Sequence, residues 1–198
     1  MPQPRAAGTG AKRARPERVR SSTGPRKHGL PPILDERTRV LVLGSFPGEA
    51  SLAASQYYAH PRNHFWPILA AVLGEDFATK PYRTRLARLR AHGVGLWDTI
   101  VACERRGSLD GAIRNAERGD VARVRHAAHR LELVCFNGKT AARAEPVWRE
   151  AGYATLVLPS SSPAYTLPFA EKLAALPRLA LQASKMLINR AGTSLPTN

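Results

Sequence analysis

Apolar residues gather in short runs along this chain, and polar or turn-forming residues close each one. Val40-Leu41-Val42-Leu43, Val94 to Ile100, Leu131 to Phe136 and Thr155 to Leu158 read as strands. Between them the period changes to that of a helix. Phe65, Ile68, Leu69 and Val72 share one face of a helix from Phe65 to Leu73, with Asn63 just ahead as its candidate cap. Leu86, Leu89 and Arg90 mark a second helix ending near Gly93, and Asp120 opens a third that runs through His129. Gly138 to Ala151 follows as a helix that Pro146 shortens or kinks, and an Ala/Leu-rich helix from about Pro168 is broken by Pro177.

Strands separated by helices predict an α/β domain: a single unit with a central parallel four-stranded sheet and helices on both faces. No internal repeat is visible. In such a sheet, sites form at the carboxyl ends of the strands. The 198 residues suit one domain, expected at 37–190 and followed by a flexible tail at 191–198. Residues 1–36 differ in composition: Gly, Pro, Ser and Ala alternate with Arg5, Lys12, Arg13, Arg15, Arg18, Arg20, Arg26 and Lys27, against Glu17 alone before Asp35. Such a segment buries too little to fold by itself. It reads as a disordered basic arm, either holding DNA through phosphate attraction or carrying no assigned role. A transit peptide is the weaker reading, since Pro and Gly spoil an amphipathic helix.

A formal net charge of +15 favours an anionic partner, nucleic acid or an acidic membrane face. No apolar run reaches bilayer-spanning length and no secretion-signal core is present, so a soluble, cytoplasmic protein is expected, bound to the nucleoid if bacterial. Cys103 and Cys135 are too few for a disulfide framework or a four-thiolate cluster, and read as small buried hydrophobes.

Two loops carry the chemistry. Gly44-Ser45-Phe46-Pro47-Gly48, then Tyr57-Tyr58-Ala59-His60-Pro61-Arg62-Asn63-His64-Phe65-Trp66, follow the first strand; Pro159-Ser160-Ser161-Ser162-Pro163-Ala164-Tyr165-Thr166 follow the last. With His92 to Thr99, Ser108-Leu109-Asp110, Ile113-Arg114-Asn115 and Phe136 to Ala141, they resemble in order and spacing the motifs of the uracil-DNA glycosylase superfamily. The likeness runs from about Arg39 to about Leu176, and is strongest to the hypoxanthine-DNA glycosylase branch and to mismatch-specific members. It implies a three-layer sandwich and a monofunctional DNA glycosylase of base excision repair, acting on uracil, hypoxanthine or both as a monomer. No Lys or N-terminal amine stands where the resemblance would mark a nucleophile, so water attacks. No metal or organic cofactor is expected.

The site residues follow from the chemistry. A base must leave the duplex before its glycosidic carbon can be reached. Tyr57 or Tyr58, with Tyr58 favoured, would stack on it; the alternative is core packing. The resemblance puts Phe46 where mismatch-specific relatives carry a catalytic Asn, and a phenyl ring cannot orient water, though its backbone N–H can meet a base carbonyl. Asn63 is therefore the catalytic candidate, unless it serves only as the helix cap. Asp98 falls where uracil-specific relatives read the base. An ionised Asp98 accepts from the N–H that deamination creates and repels the ring lone pair of adenine or cytosine; alternatively it is protonated or paired with an Arg. Leu158 replaces a familiar polar donor, leaving His60 and Asn137 as further base contacts, with His60 otherwise structural. Ser160, Ser161 and Ser162 suit phosphate contact, and Tyr165 is bulky enough to wedge into the vacated stack or to pack as a lid. Arg83, Arg85, Arg88 and Arg90 read as a solvated basic helix face.

Two other classes stay open. A non-catalytic DNA-binding or damage-sensing module on the same fold is the first, with Phe46 marking a lost active site. A metal-dependent hydrolase using His60 and His64 is the poorer, because no acidic cluster accompanies them.

Overall fold

Successive residues in each central strand face opposite sides of the sheet, and each side meets its own helices. The computed structural model describes residues 24–175. In chain order its elements are β1 (Arg26–His28), β2 (Val40–Gly44), α1 (Glu49–Ala54), α2 (Phe65–Leu73), α3 (Tyr82–Ala91), β3 (Val94–Asp98), β4 (Ile100–Glu104), β5 (Arg114–Arg118), α4 (Val121–Ala127), β6 (Leu133–Asn137), α5 (Glu145–Glu150), β7 (Ala154–Leu158) and α6 (Phe169–Ala174).

Strands β3-β2-β6-β7 form a four-stranded sheet whose neighbours are all parallel. Val40, Val42, Leu96, Leu133 and Cys135 pack on one face against Phe65, Trp66 and Leu69 of α2 and Leu89 of α3. Leu41, Leu43, Trp97, Val134 and Phe136 pack on the other against Val124 of α4 and Trp148 of α5. Each such side chain contributes about 1.5–3 kcal/mol by leaving water, so the alternation fixes the register as firmly as the hydrogen bonds do. The expected α/β sandwich is the architecture found. Both cysteines are buried, Cys135 in the first of these clusters.

Several boundaries differ from expectation. The run from Val94 to Ile100 is two strands that divide at Thr99: there the chain still follows β2, the Thr99 N–H donating to the Gly44 carbonyl at 2.9 Å and that of Ile100 to Ser45 at 3.1 Å, but its pairing changes beyond it. β4 then joins a small antiparallel sheet of order β1-β4-β5 that apolar periodicity could not reveal. The region from Gly138 to Ala151 is a 3-10 turn at Ala141–Ala144 followed by α5, whose first turn accommodates Pro146 because no intrahelical N–H is required there. The helix opened by Asp120, whose carboxylate accepts from the Ala122 N–H at 2.8 Å, stops at Ala127 rather than His129.

The fold also begins earlier than residue 37. Arg26–His28, assigned from composition to a disordered arm, pairs antiparallel with β4, and Ile33 bridges to Leu96. Polar Arg-Lys-His belongs on a sheet edge, where one row of backbone groups faces outward and apolar alternation is not needed. Arm residues 1–23, the break at Pro177 and the tail lie outside the described residues. The early segment is closely seated: a methyl group on Gly95 would come within 2.9 Å of the Ile33 carbonyl and 2.8 Å of a Leu34 methyl. Gly95→Ala should therefore destabilise the fold by about 1–3 kcal/mol in urea unfolding, and a neutral result would mean that residues 30–34 are not held against β3.

Candidate active site

The carboxyl ends of β2, β3, β6 and β7 reach one edge of the sheet, and the loops leaving them enclose a cleft of about 290 Å³. Asn63, Phe46, Tyr58, His60, Asp98, Asn137, Ser160, Ser161, Ser162 and Tyr165 all line it. The structure thus gathers these ten candidates into one site.

Asp98 forms its floor. It ends β3 directly opposite Gly44, and a Cβ on Gly44 would collide with the Asp98 carboxylate. Only glycine leaves room for this acid. Asp98 is buried and its Oδ2 has no hydrogen-bond partner, so neither an Arg fork nor a backbone donor compensates a charge there. Burial first, then the negative charge of Asp110, pushes its pKa up to about 8, with Arg105 opposing. That rise favours the neutral acid, which presents one donor and one acceptor. The Tyr58 hydroxyl, also buried and unpartnered, lies beside Gly44. Burial raises its pKa; Asn137 works against that rise, although the Asn137 amide itself is directed at Ser161.

The first loop is built from turns. The Asn63 N–H donates to the His60 carbonyl at 2.8 Å, and the His60 Nδ1 accepts from the Arg62 N–H at 3.2 Å, so His60 shapes the turn as well as lining the cleft. The Asn63 Oδ1 accepts from the Phe65 N–H at 3.0 Å. The N-cap position itself is His64, so Asn63 holds the first N–H of α2 from one residue further out and lines the cleft at once. Tyr57 is core, its hydroxyl donating to the carbonyls of Leu30 and Pro31. Tyr58 stacks on Phe65 with ring centroids 3.6 Å apart and takes a left-handed backbone, φ 56°, which a bulky residue adopts only when its surroundings demand it. The Phe46 ring packs with Ile100 and Cys103 beneath the guanidinium of Arg105, so that side chain is spent on packing.

In the second loop, Ser161 is almost wholly buried. Its N–H donates to Asn137 Oδ1 at 2.8 Å, its hydroxyl accepts from Asn137 Nδ2 at 2.9 Å, and its carbonyl accepts from the His64 N–H at 3.0 Å. Ser160 and Ser162 make local turns, their hydroxyls accepting from the N–H groups of Ser162 and Ala164. Tyr165 stands 43% exposed at the rim. On α3, Arg88 pairs with Glu75 while Arg85 reaches loop carbonyls and lies over Trp66, so the expected basic face is partly engaged in packing.

Sequence reasoning gave no role to four residues here. Asp110 lines the cleft and accepts from the Ser45 hydroxyl at 2.7 Å. Arg105, fully buried, donates to the Pro47 carbonyl, while its Nε and Nη1 have no partner. Lys172, 1% exposed on α6, donates to the Tyr165 carbonyl at 2.7 Å and lies over that ring, and burial pulls its pKa down. Leu109 is exposed on the rim. Of these, Leu109 and Asp110 stood inside a quoted motif; a buried Arg or Lys gives no periodic sign. Among the described residues no three His, Cys, Asp or Glu side chains cluster as metal ligands, and no helix is long and apolar enough to cross a membrane.

The state of Asp98 is open to measurement. A folded-state pKa of about 8 against an ordinary 3.8 means that the acid's favourable contribution is fully present below about pH 4 and is lost as pH rises toward 8. Asp98→Asn does not titrate, so its melting temperature should gain on the wild type by several degrees across that window and hold the gain above it. Parallel melting curves from pH 4 to 9 would show Asp98 ionised throughout.

The chain and its fold have counterparts among known proteins. The profile described as the Uracil DNA glycosylase superfamily matches residues 31–181. A hypoxanthine DNA glycosylase of Methanosarcina barkeri is 42% identical over 137 residues, covering 69% of this chain and 87% of the relative. One from Methanosarcina acetivorans is 41% identical over 136 residues, covering 69% and 86%. A solution NMR structure from Methanosarcina acetivorans, described as a candidate uracil DNA glycosylase, superposes with a TM-score of 0.70 at 38% identity, covering 78% of this chain and 99% of that one. On its fold, its loops and these matches, the chain belongs to the uracil DNA glycosylase superfamily.

Proposed function

We propose that this protein is a monofunctional DNA glycosylase of base excision repair that hydrolyses the N-glycosidic bond of a flipped-out deaminated base, hypoxanthine or uracil, leaving an abasic site. The observation that carries the reading is the meeting of Asp98 and Asn63 in one cleft at the strand ends, in a chain whose relatives are named hypoxanthine DNA glycosylases. Its volume lies near the lower end of ligand pockets, roughly 300–1,000 Å³, which suits a single base.

Each part of the cleft then has a task. Asp98 at the floor meets the edge that deamination creates. As a neutral acid it can donate to the new carbonyl and accept from the adjacent ring N–H; once ionised it accepts from that N–H and repels the lone pair that adenine or cytosine presents there. The ionised form therefore supplies discrimination. Asn63, fixed by its bond to α2, holds the attacking water. Tyr58 offers an aromatic face to the base, Asn137 and His60 complete the polar wall, and the backbone of Phe46 contacts a base carbonyl. The serine loop meets the phosphates, with Ser160 and Ser162 the better placed because Ser161 is committed to Asn137. Tyr165 fills the vacated stack. The partner is DNA containing deaminated bases, and the +15 charge draws the protein to it whatever the sequence. The expected setting is the cytoplasm, with the protein acting as a monomer.

Base release from matched oligonucleotides carrying one uracil or one hypoxanthine, in chelator and followed by alkaline strand cleavage, tests the reading. Release from either is expected; binding without release from both would favour the non-catalytic module. Asn63→Ala should leave DNA affinity within about threefold while slowing release about 100-fold or more. Equal losses of binding and release would remove Asn63 from the chemistry.

A further inference from the structure

We propose that Asp110 is a second catalytic residue of this site, the carboxylate that balances the positive charge developing on the sugar and takes the proton of the attacking water. The inference rests on the glycosylase reading and adds to it a group that neither loop contains.

The cleft supplies the argument. Its lining holds two carboxylates, Asp98 and Asp110, and no Lys or Arg. When the glycosidic bond breaks, its electron pair stays on the base and the sugar carbon becomes cationic. The water oxygen then bonds to that carbon and must lose a proton, while the base anion is protonated from solvent. Asn63 is neutral: it can orient the water but can neither offset the cation nor accept the proton. Asp98 lies on the floor of the cleft, at the end of β3 opposite Gly44, which sets it against the edge of the base rather than against the sugar. The anionic task therefore falls to Asp110.

Its placement suits that task. Asp110 opens the 3-10 turn Asp110–Ala112 beyond β4 and is only half-buried, so a proton gained from water can pass on to solvent. Its Oδ2 accepts from the hydroxyl of Ser45, the residue just beyond β2 and next to Phe46. A carboxylate is thus delivered to the first loop from 65 positions away, on the residue that precedes Phe46 in the chain.

Asp110→Asn keeps an acceptor for Ser45 and removes only the charge. Single-turnover base release should fall about 100-fold with DNA affinity held within threefold. A second readout does not depend on turnover: affinity for duplexes carrying a neutral tetrahydrofuran abasic site is compared with affinity for a cationic pyrrolidine one. The wild type should prefer the cation at least tenfold, and Asp110→Asn should lose most of that preference. Release within threefold of wild type, or an unchanged preference for the cation, overturns the proposal. If the wild type releases no base yet its preference for the cation depends on Asp110, the glycosylase reading fails while the charge placement stands.

Discussion

A single buried serine joins the two halves of the site. Ser161 exchanges two hydrogen bonds with Asn137 at the end of β6 and receives a third from the His64 backbone at the start of α2. Strand β6, the serine loop and the asparagine-bearing turn therefore share one junction. Each hydrogen bond is worth only about 0.5–1.5 kcal/mol net, but breaking one here leaves a buried polar group unpaired, which costs about 1–3 kcal/mol. The loops are held in place less by attraction than by that penalty.

Electrostatics then divide the cleft. At the floor, glycine at position 44 lets a carboxyl group approach a backbone that any side chain would block, and the same burial that admits Asp98 keeps it neutral. Nearer the mouth, Asp110 keeps company with a serine hydroxyl. The two acids thus stand at different depths, Asp98 buried without a hydrogen bond to its Oδ2 and Asp110 half-buried on a serine. Behind the first loop, Arg105 gives the Phe46 ring a cationic ceiling and holds the Pro47 carbonyl; beneath the second, Lys172 does the same for Tyr165. Each loop is backed by a buried cation bonded to its own carbonyls.

The sheet was legible because β2, β3 and β6 are buried on both faces: Val40 to Leu43 can be read as a strand without knowing what covers it. The small antiparallel sheet was not, since Arg26–His28 and Arg114–Arg118 bury no regular face and owe their conformation to β4. Within the site, residue identities were legible and their states were not. For Asn63 the sequence offers cap or catalyst as alternatives, yet one side chain can hold the first N–H of α2 and line the cleft together. The neutrality of Asp98 depends on burial and on Asp110, neither of which a linear reading measures. Lys172 sits in an Ala/Leu-rich helix where a lysine ordinarily faces water, and nothing nearby in sequence marks it as a loop support.

The way the chain enters the fold has a practical corollary. Gly24 lies against the Arg105 backbone, the Pro25 carbonyl receives the Arg105 N–H at 3.2 Å, and Lys27 pairs with Glu49 just past the first loop. The attachment point for anything upstream is therefore stitched to the rim of the cleft rather than to the back of the sheet. A polycation, fluorophore or fusion partner joined there works at a local concentration set by tether length, falling roughly as the −3/2 power once the tether exceeds the span it must bridge. An energy-transfer dye placed ahead of Gly24 would serve as a short-range reporter of whatever arrives at the mouth.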